Sequence, residues 1–180
     1  MIISAHHTFY ERILPFVTGP VLMLGNQELE SGYSNPFPTY KTFDPDGGDY
    51  AGDLSDDQTA LHDAFRTIVN IGTIEHIWDI HGAFCNVVSM LKIGGVYAGV
   101  SPVAGYRNHG IHITGARYIE AFFKSNGFEI IDRWYSDRVR EIPDPTDGDS
   151  LFWIVARKLS APGSEFVRPQ QVFANGQPQR

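Results

Sequence analysis

The sequence predicts an α/β domain: a mostly parallel, twisted, Rossmann-like sheet with helices on both faces and an antiparallel hairpin at one edge. Three observations carry this. The runs Val21-Leu22-Met23-Leu24, Thr67-Ile68-Val69-Asn70-Ile71 and Val96 to Val100 are apolar without alternation, as in strands covered on both faces. Segments with apolar residues at steps of three and four separate them, which is the βαβ order of a parallel sheet. The last two predicted strands have only a loop between them, which permits an antiparallel pairing.

Taken in order, residues 5–17 read as a short amphipathic helix through Phe9, Ile13, Leu14 and Val17, stopped by Gly19-Pro20. The strand Val21 to Leu24 ends in Gly25, and Lys41-Thr42-Phe43 begins a second short strand ending at Asp44. Pro45-Asp46-Gly47-Gly48-Asp49 is turn chemistry. Asp56-Asp57 would cap a helix of about two turns over residues 59–65. The β-branched run Thr67 to Ile71 is a central strand. Ile77, Ile80, Phe84, Val87, Val88 and Leu91 predict a helix over residues 75–92, closed by Gly94-Gly95. Val96 to Val100 is a strand and residues 118–125 a helix ended by Asn126-Gly127. Phe128 to Ile131 and Leu151 to Ala156 are the last strands.

The chain has 180 residues, 42% of them hydrophobic and 19% charged, and this fits one globular domain. We place it at residues 1–159, with residues 1–18 as its N-terminal helix and 160–180 as a flexible tail. A net charge of −7 argues against nucleic acid as the main partner. The single cysteine, Cys85, lies in an apolar stretch as a core thiol, and no apolar run reaches the ~18 residues that span a bilayer. The cytoplasm is the expected location, without a membrane partner; a homodimer is open. Residues His6, His7, His62, His81 and His112 give neither H-E-x-x-H nor Cys/His spacing, so no metal site is expected.

In an open parallel sheet a ligand sits outside the carboxyl ends of the strands. Three strand ends carry polar groups: Gly25-Asn26-Gln27-Glu28, Asp44, and Asp53-Leu54. Asp44 lies 19 positions beyond Gly25, the spacing at which a carboxylate accepts from both hydroxyls of a ribose. Each has a plainer use: Asp44 as a turn acid before Pro45, and Asp53 as a cap of the following segment.

Residues Ile68-Val69-Asn70-Ile71-Gly72-Thr73-Ile74-Glu75-His76, Met90-Leu91-Lys92-Ile93-Gly94-Gly95, Ser101-Pro102-Val103, Asn108-His109-Gly110 and Phe122-Phe123-Lys124-Ser125-Asn126-Gly127-Phe128 resemble, in order, those of class I S-adenosylmethionine-dependent methyltransferases. The resemblance is to the compact subgroup associated with glycan and cell-surface biosynthesis. It implies S-adenosylmethionine as cofactor and methyl transfer to a small-molecule or glycan acceptor. It also implies that the loop at Gly25 approaches the methionine part and that Asp44 holds the ribose; Asn26, Gln27 or Glu28 would supply the polar contacts that the family's acid and glycines otherwise make. Asp53 and Leu54 would flank adenine, and Gly72-Thr73-Ile74-Glu75-His76 would line the pocket floor, with His76 orienting the chain or the cofactor. His109 would face the substrate as catalytic base, a role its imidazole suits at neutral pH. The alternative for His109 is a loop histidine held by hydrogen bonds.

The sequence departs from the resemblance at the first loop, where Met23 replaces an acid and Gln27 and Leu29 replace glycines. That departure supports the alternative of a non-catalytic, methyltransferase-like binding or scaffolding subunit. A dehydrogenase would require G-x-G-x-x-G, which is missing after Val21 to Leu24. A serine nucleophile at Ser101 is excluded by Pro102, which has no N–H to offer an oxyanion. Trp78, Tyr97, Tyr106, Trp134 and Tyr135 are the aromatic candidates for an acceptor pocket.

Overall fold

The computed structural model describes residues 3–25, 36–145, 148–163 and 166–167, with side chains from residue 8 onward. Its strands are β1 (Val21–Leu24), β2 (Lys41–Asp44), β3 (Tyr50–Ala51), β4 (Phe65–Ile71), β5 (Leu91–Ala104), β6 (Phe128–Ser136), β7 (Glu141–Ile142) and β8 (Ser150–Lys158). The helices are α1 (Ile3–Ile13), α2 (Ile80–Met90) and α3 (Ala116–Ser125). All eight strands form one sheet in the order β3-β2-β1-β4-β5-β8-β6-β7. The first five in that order run parallel, and β8 is antiparallel to both β5 and β6. This is the predicted α/β class.

The continuous apolar runs are explained by two cores, one on each side of the sheet. Leu22, Leu24, Ile68 and Ile154 face α2 and α3 through Phe84, Val87, Phe122 and Phe123. Val21, Met23, Val69 and Val155 face α1 through Phe9, Tyr10 and Ile13, together with Trp134 and Trp153. The last two rings stack in parallel with centroids 5.7 Å apart. Because neighbouring strand residues point to opposite sides, both must be apolar, and alternation disappears.

Several boundaries differ from expectation. Helix α1 ends at Ile13, and a single 3₁₀ turn, Leu14–Phe16, follows because Pro15 sits at its start. In place of the helix expected over residues 59–65 there is one 3₁₀ turn, Thr59–Leu61. The Asp57 carboxylate accepts from both the Thr59 amide (2.9 Å) and its hydroxyl (2.5 Å), closing a turn. Asp63 then takes φ 49°, and the chain enters β4 at Phe65.

The long helix expected over residues 75–92 is divided. Ile74–His76 is a separate 3₁₀ turn, and α2 begins after Asp79, whose carboxylate accepts from the Gly82 amide at 3.0 Å. Its end is set from β8: the Lys158 ammonium, 2% exposed, donates to the carbonyls of Val88 (2.8 Å) and Leu91 (2.5 Å). A cation there satisfies helix-end carbonyls that otherwise lack partners. Leu91 is already in β5 and pairs with Phe65, whereas Val96 pairs with Thr67, so residues 92–95 bulge from the ladder. Gly94-Gly95 therefore shapes a bulge inside a strand, with Gly94 at φ +81°, and does not terminate the helix. The antiparallel pair at the sheet's end is β6 with β8, but β8 is the inner member, and the edge is the two-residue β7.

Beyond β8, the Val167 amide donates to the Asn126 side-chain oxygen (2.9 Å), and the Asn126 amide group returns a bond to the Val167 carbonyl (3.0 Å). No helix among the described residues is long and apolar enough to cross a membrane.

Candidate functional site

The carboxyl ends of β1, β2, β3 and β4 open on the same edge of the sheet, and hydrogen bonds tie them to one another. Asn70, fully buried near the end of β4, donates to the Val100 carbonyl of β5 (3.1 Å). Its side-chain oxygen accepts from the Thr73 and Ile74 amides, both at 3.2 Å, and so folds the chain into the Ile74–His76 turn. Gly72, at φ +69°, makes the reversal that a β-carbon would strain. The Thr73 hydroxyl then donates to the Leu24 carbonyl of β1 at 2.9 Å. Gly25 follows at φ +82°, its amide bonded to the Phe43 carbonyl of β2 at 2.8 Å.

Between these ends lies a cavity of about 270 Å³. Leu24, Phe43, Leu54, Ile77 and Ile111 give it apolar walls, and Asp53, Thr73 and His76 supply polar groups. Trp78 stands at its rim, 78% exposed. Such a mixture, mostly apolar with a few placed polar atoms, is the make-up of a small-molecule site. Asp53 accepts from the Ser55 amide (2.8 Å) and hydroxyl (2.7 Å), which hold its carboxyl below the usual range and keep it ionised at neutral pH. Leu54 is buried, and its carbonyl accepts from the Asn86 side chain of α2 at 2.8 Å. Asp44 is half-buried at the end of β2, with Oδ1 accepting from the Asp46 amide at 2.9 Å.

Beside the cavity, three polar side chains converge. Glu75 is 2% exposed, and its Oε2 is buried without a hydrogen-bond partner. Burial pushes its carboxyl up to about 7. Its Oε1 is 3.8 Å from Nε2 of His109, whose side chain is half exposed. The His76 and His109 rings meet edge to face at 4.9 Å. Loss of solvent around the His76 ring, then the neighbouring His109, lowers its imidazole pKa. The loop that carries His109 is pinned over this group by the amides of Ile111 (2.8 Å) and His112 (3.0 Å), which donate to the Glu75 carbonyl. His112 Nε2 lies 3.0 Å from the Trp78 carbonyl and adds another tie.

Of the residues singled out from sequence, Asp53, Leu54 and Thr73 line the cavity directly, and Gly25, Asp44 and Gly72 lie at the strand ends around it. Glu75 and His109 form the adjoining polar group. Asn26 and Gln27 lie outside the described residues. Met23, at the position where an acid was expected, is 4% exposed and packed in the core facing α1. Among the five aromatic candidates, Trp78 borders the cavity and Tyr106 lies 5.7 Å from His109. Tyr97 is a core residue stacked on Phe123, while Trp134 and Tyr135 lie on β6. Sequence reasoning missed Asn70. Its signal was a lone amide in an otherwise apolar β-branched strand. The joining of His76 to Glu75 and His109 had no local signal, because it depends on a loop returning over thirty residues later.

No family model matches this chain, and no curated protein matches it. Solved structures do. The N-methyltransferase NodS from Bradyrhizobium japonicum WM9, solved with S-adenosyl-L-homocysteine, superposes with a TM-score of 0.59 at 15% identity over 88% of each chain. The 1,6-didemethyltoxoflavin-N1-methyltransferase of Burkholderia thailandensis, also with S-adenosylhomocysteine, gives 0.59 at 11% identity over 88% of this chain and 78% of the other. The [4+2]-cyclase SpnF gives 0.59 at 14% identity, over 86% and 79%. The chain thus has the fold of the class I S-adenosylmethionine-dependent methyltransferases. At these identities the likeness is one of architecture.

Proposed function

We propose that the protein binds S-adenosylmethionine at the carboxyl ends of β1 to β4 and transfers its methyl group to a small-molecule or glycan acceptor. The observation that carries this reading is the cavity framed by Leu24, Phe43, Leu54, Ile77 and Ile111 with Asp53 and Thr73. An apolar slot with an ionised carboxylate beside it suits a nucleobase and its amino group, and Asp44 at the end of β2 suits a ribose diol. Its volume is near the lower end for ligand pockets and fits the adenosine part better than a whole cofactor. Gly25, Gly72 and Glu75, with Asn26 and Gln27, complete the proposed cofactor set.

The cofactor supplies a methyl group on a sulfonium, and the chain's own task is alignment. Asp53 and Thr73 orient, the apolar walls exclude water, and the exposed His109 takes a proton from a hydroxyl acceptor. A second reading, a scaffolding subunit without catalysis, is favoured by Met23, which spends the expected acidic position on the core.

Calorimetric titration with S-adenosylmethionine and S-adenosylhomocysteine separates the two. Micromolar binding supports the enzyme, and no binding at millimolar ligand supports the scaffold. Asp44→Ala should weaken cofactor binding by about 1–3 kcal/mol. An unchanged affinity removes Asp44 from the site.

A further inference from the structure

We infer that Glu75, His76 and His109 form a binding site for one divalent transition-metal ion, open on its solvent side to an oxygen donor. Their donor atoms all lie within 4.8 Å of one another. A bound ion of this kind, with bonds of about 2.0–2.2 Å, brings its ligand atoms to roughly 3 Å apart. Glu75 is fixed in the fold, so the closure falls to the two imidazoles. Both belong to exposed residues, and closure requires them to turn about their side-chain bonds.

A separate observation points to a ligand. Glu75 is a carboxylic acid 2% exposed, directed at His109 through Oε1 and without any hydrogen-bond partner at Oε2. A buried carboxylate with an unused oxygen is costly in the folded protein, and a cation beside it removes that cost. The site is also held in advance. Glu75 and His76 share one 3₁₀ turn, and the His109 loop hydrogen-bonds to the Glu75 carbonyl through Ile111 and His112. Gly110 brings that loop close: a β-carbon there would lie 3.0 Å from both Cγ and the carbonyl oxygen of Glu75.

Two imidazoles and one carboxylate select zinc, cobalt, nickel, iron or manganese, whereas magnesium and calcium prefer sets made wholly of oxygen. Three protein ligands leave coordination positions open, as in metal sites that take up water or substrate. His76 also lines the cavity, so the open side lies next to it. That the incoming oxygen belongs to the methyl acceptor rests on the function proposed above; the metal site itself does not. With the ion bound, His109 is a ligand in place of a base, and the metal acidifies the bound hydroxyl.

The test is a titration of the chelator-stripped full-length protein with Zn²⁺ by calorimetry and with Co²⁺ by visible absorption, Mg²⁺ being the control. The expected result is one Zn²⁺ per chain, ligand-field absorption with Co²⁺, and no heat with Mg²⁺. His76→Ala and His109→Ala should each weaken Zn²⁺ binding roughly tenfold or more. Both replace exposed side chains, and circular dichroism checks that the fold is kept. The inference is overturned if Zn²⁺ is not bound at micromolar concentration. Equal binding by wild type and both variants also overturns it, because the ion then sits elsewhere, for example at the His6-His7 pair. Neither probe contains S-adenosylmethionine, so the metal site and the methyl-transfer reading fail separately.

Discussion

Asn70→Ala is the substitution that most directly tests how the site is assembled. The hydrogen bonds of the fully buried Asn70 include one to the Val100 carbonyl, two from the Thr73 and Ile74 amides, and one with the buried Tyr97 hydroxyl. Alanine leaves all three backbone groups to find other partners. Ile74 is fully buried, so its amide bears most of the desolvation cost, about 1–3 kcal/mol. The Thr73 amide is half-buried and costs less, and the Val100 carbonyl adds a similar smaller amount. The sum, with the small void, is about 3 kcal/mol. Urea unfolding followed by circular dichroism measures it as a lower midpoint at constant slope. A companion, Asn70→Asp, keeps the acceptor for both amides but sets a carboxylate oxygen against the Val100 carbonyl. Only its protonated form donates there, so its folded pKa rises and its stability should fall as pH climbs above the usual carboxylate range. A loss below about 0.5 kcal/mol for Asn70→Ala would refute the claim that this amide holds the turn in place.

Glu75→Gln probes the buried acid in the metal-free protein. Its folded pKa of about 7 stands above the ordinary 4.5, so the folded state keeps its proton longer than the unfolded one. The stability this confers is complete below pH 4.5 and is lost as pH rises to about 7. At 1.36 kcal/mol per unit, wild type should lose about 3 kcal/mol across that window relative to Glu75→Gln. Parallel stability–pH curves for the two proteins in chelator would contradict it. Gly110→Ala places a β-carbon at φ +71° and 3.0 Å from Glu75. It should cost about 1–2 kcal/mol and speed hydrogen exchange at the Ile111 and His112 amides; unchanged protection there would show that the loop absorbs the methyl group.

The sheet was legible because its signals are local. Unalternated apolar runs arise only where both faces of a strand are covered, and both faces here are. Boundaries were less legible where a side chain competes with the helix. Asp57 closes a turn before a helix starts, and Asp79 starts α2 later than apolar spacing suggested. Lys158 ends α2 from a strand nearly seventy residues away, which spacing within the helix does not reveal. The candidate site divides the same way. Gly25, Asp44 and Asp53 follow strand ends, and their position there was legible from element order alone. The joining of Glu75 and His76 to His109 depends on Gly110 and two amides folding one loop onto another.

The site's loops are placed before any ligand arrives. Thr73 is bonded to β1, Asn70 to β5, Leu54 to α2 through Asn86, and the Glu75 backbone to the His109 loop. Fixing these loops in the fold removes much of the ordering entropy that binding would otherwise require. A fold that satisfies Asn70, Lys158 and Asp53 with hydrogen bonds leaves one buried carboxylate oxygen without a partner. A buried acid left in this way, beside a cavity at the carboxyl ends of the strands, supports the proposed metal site, since a cation would supply the missing partner.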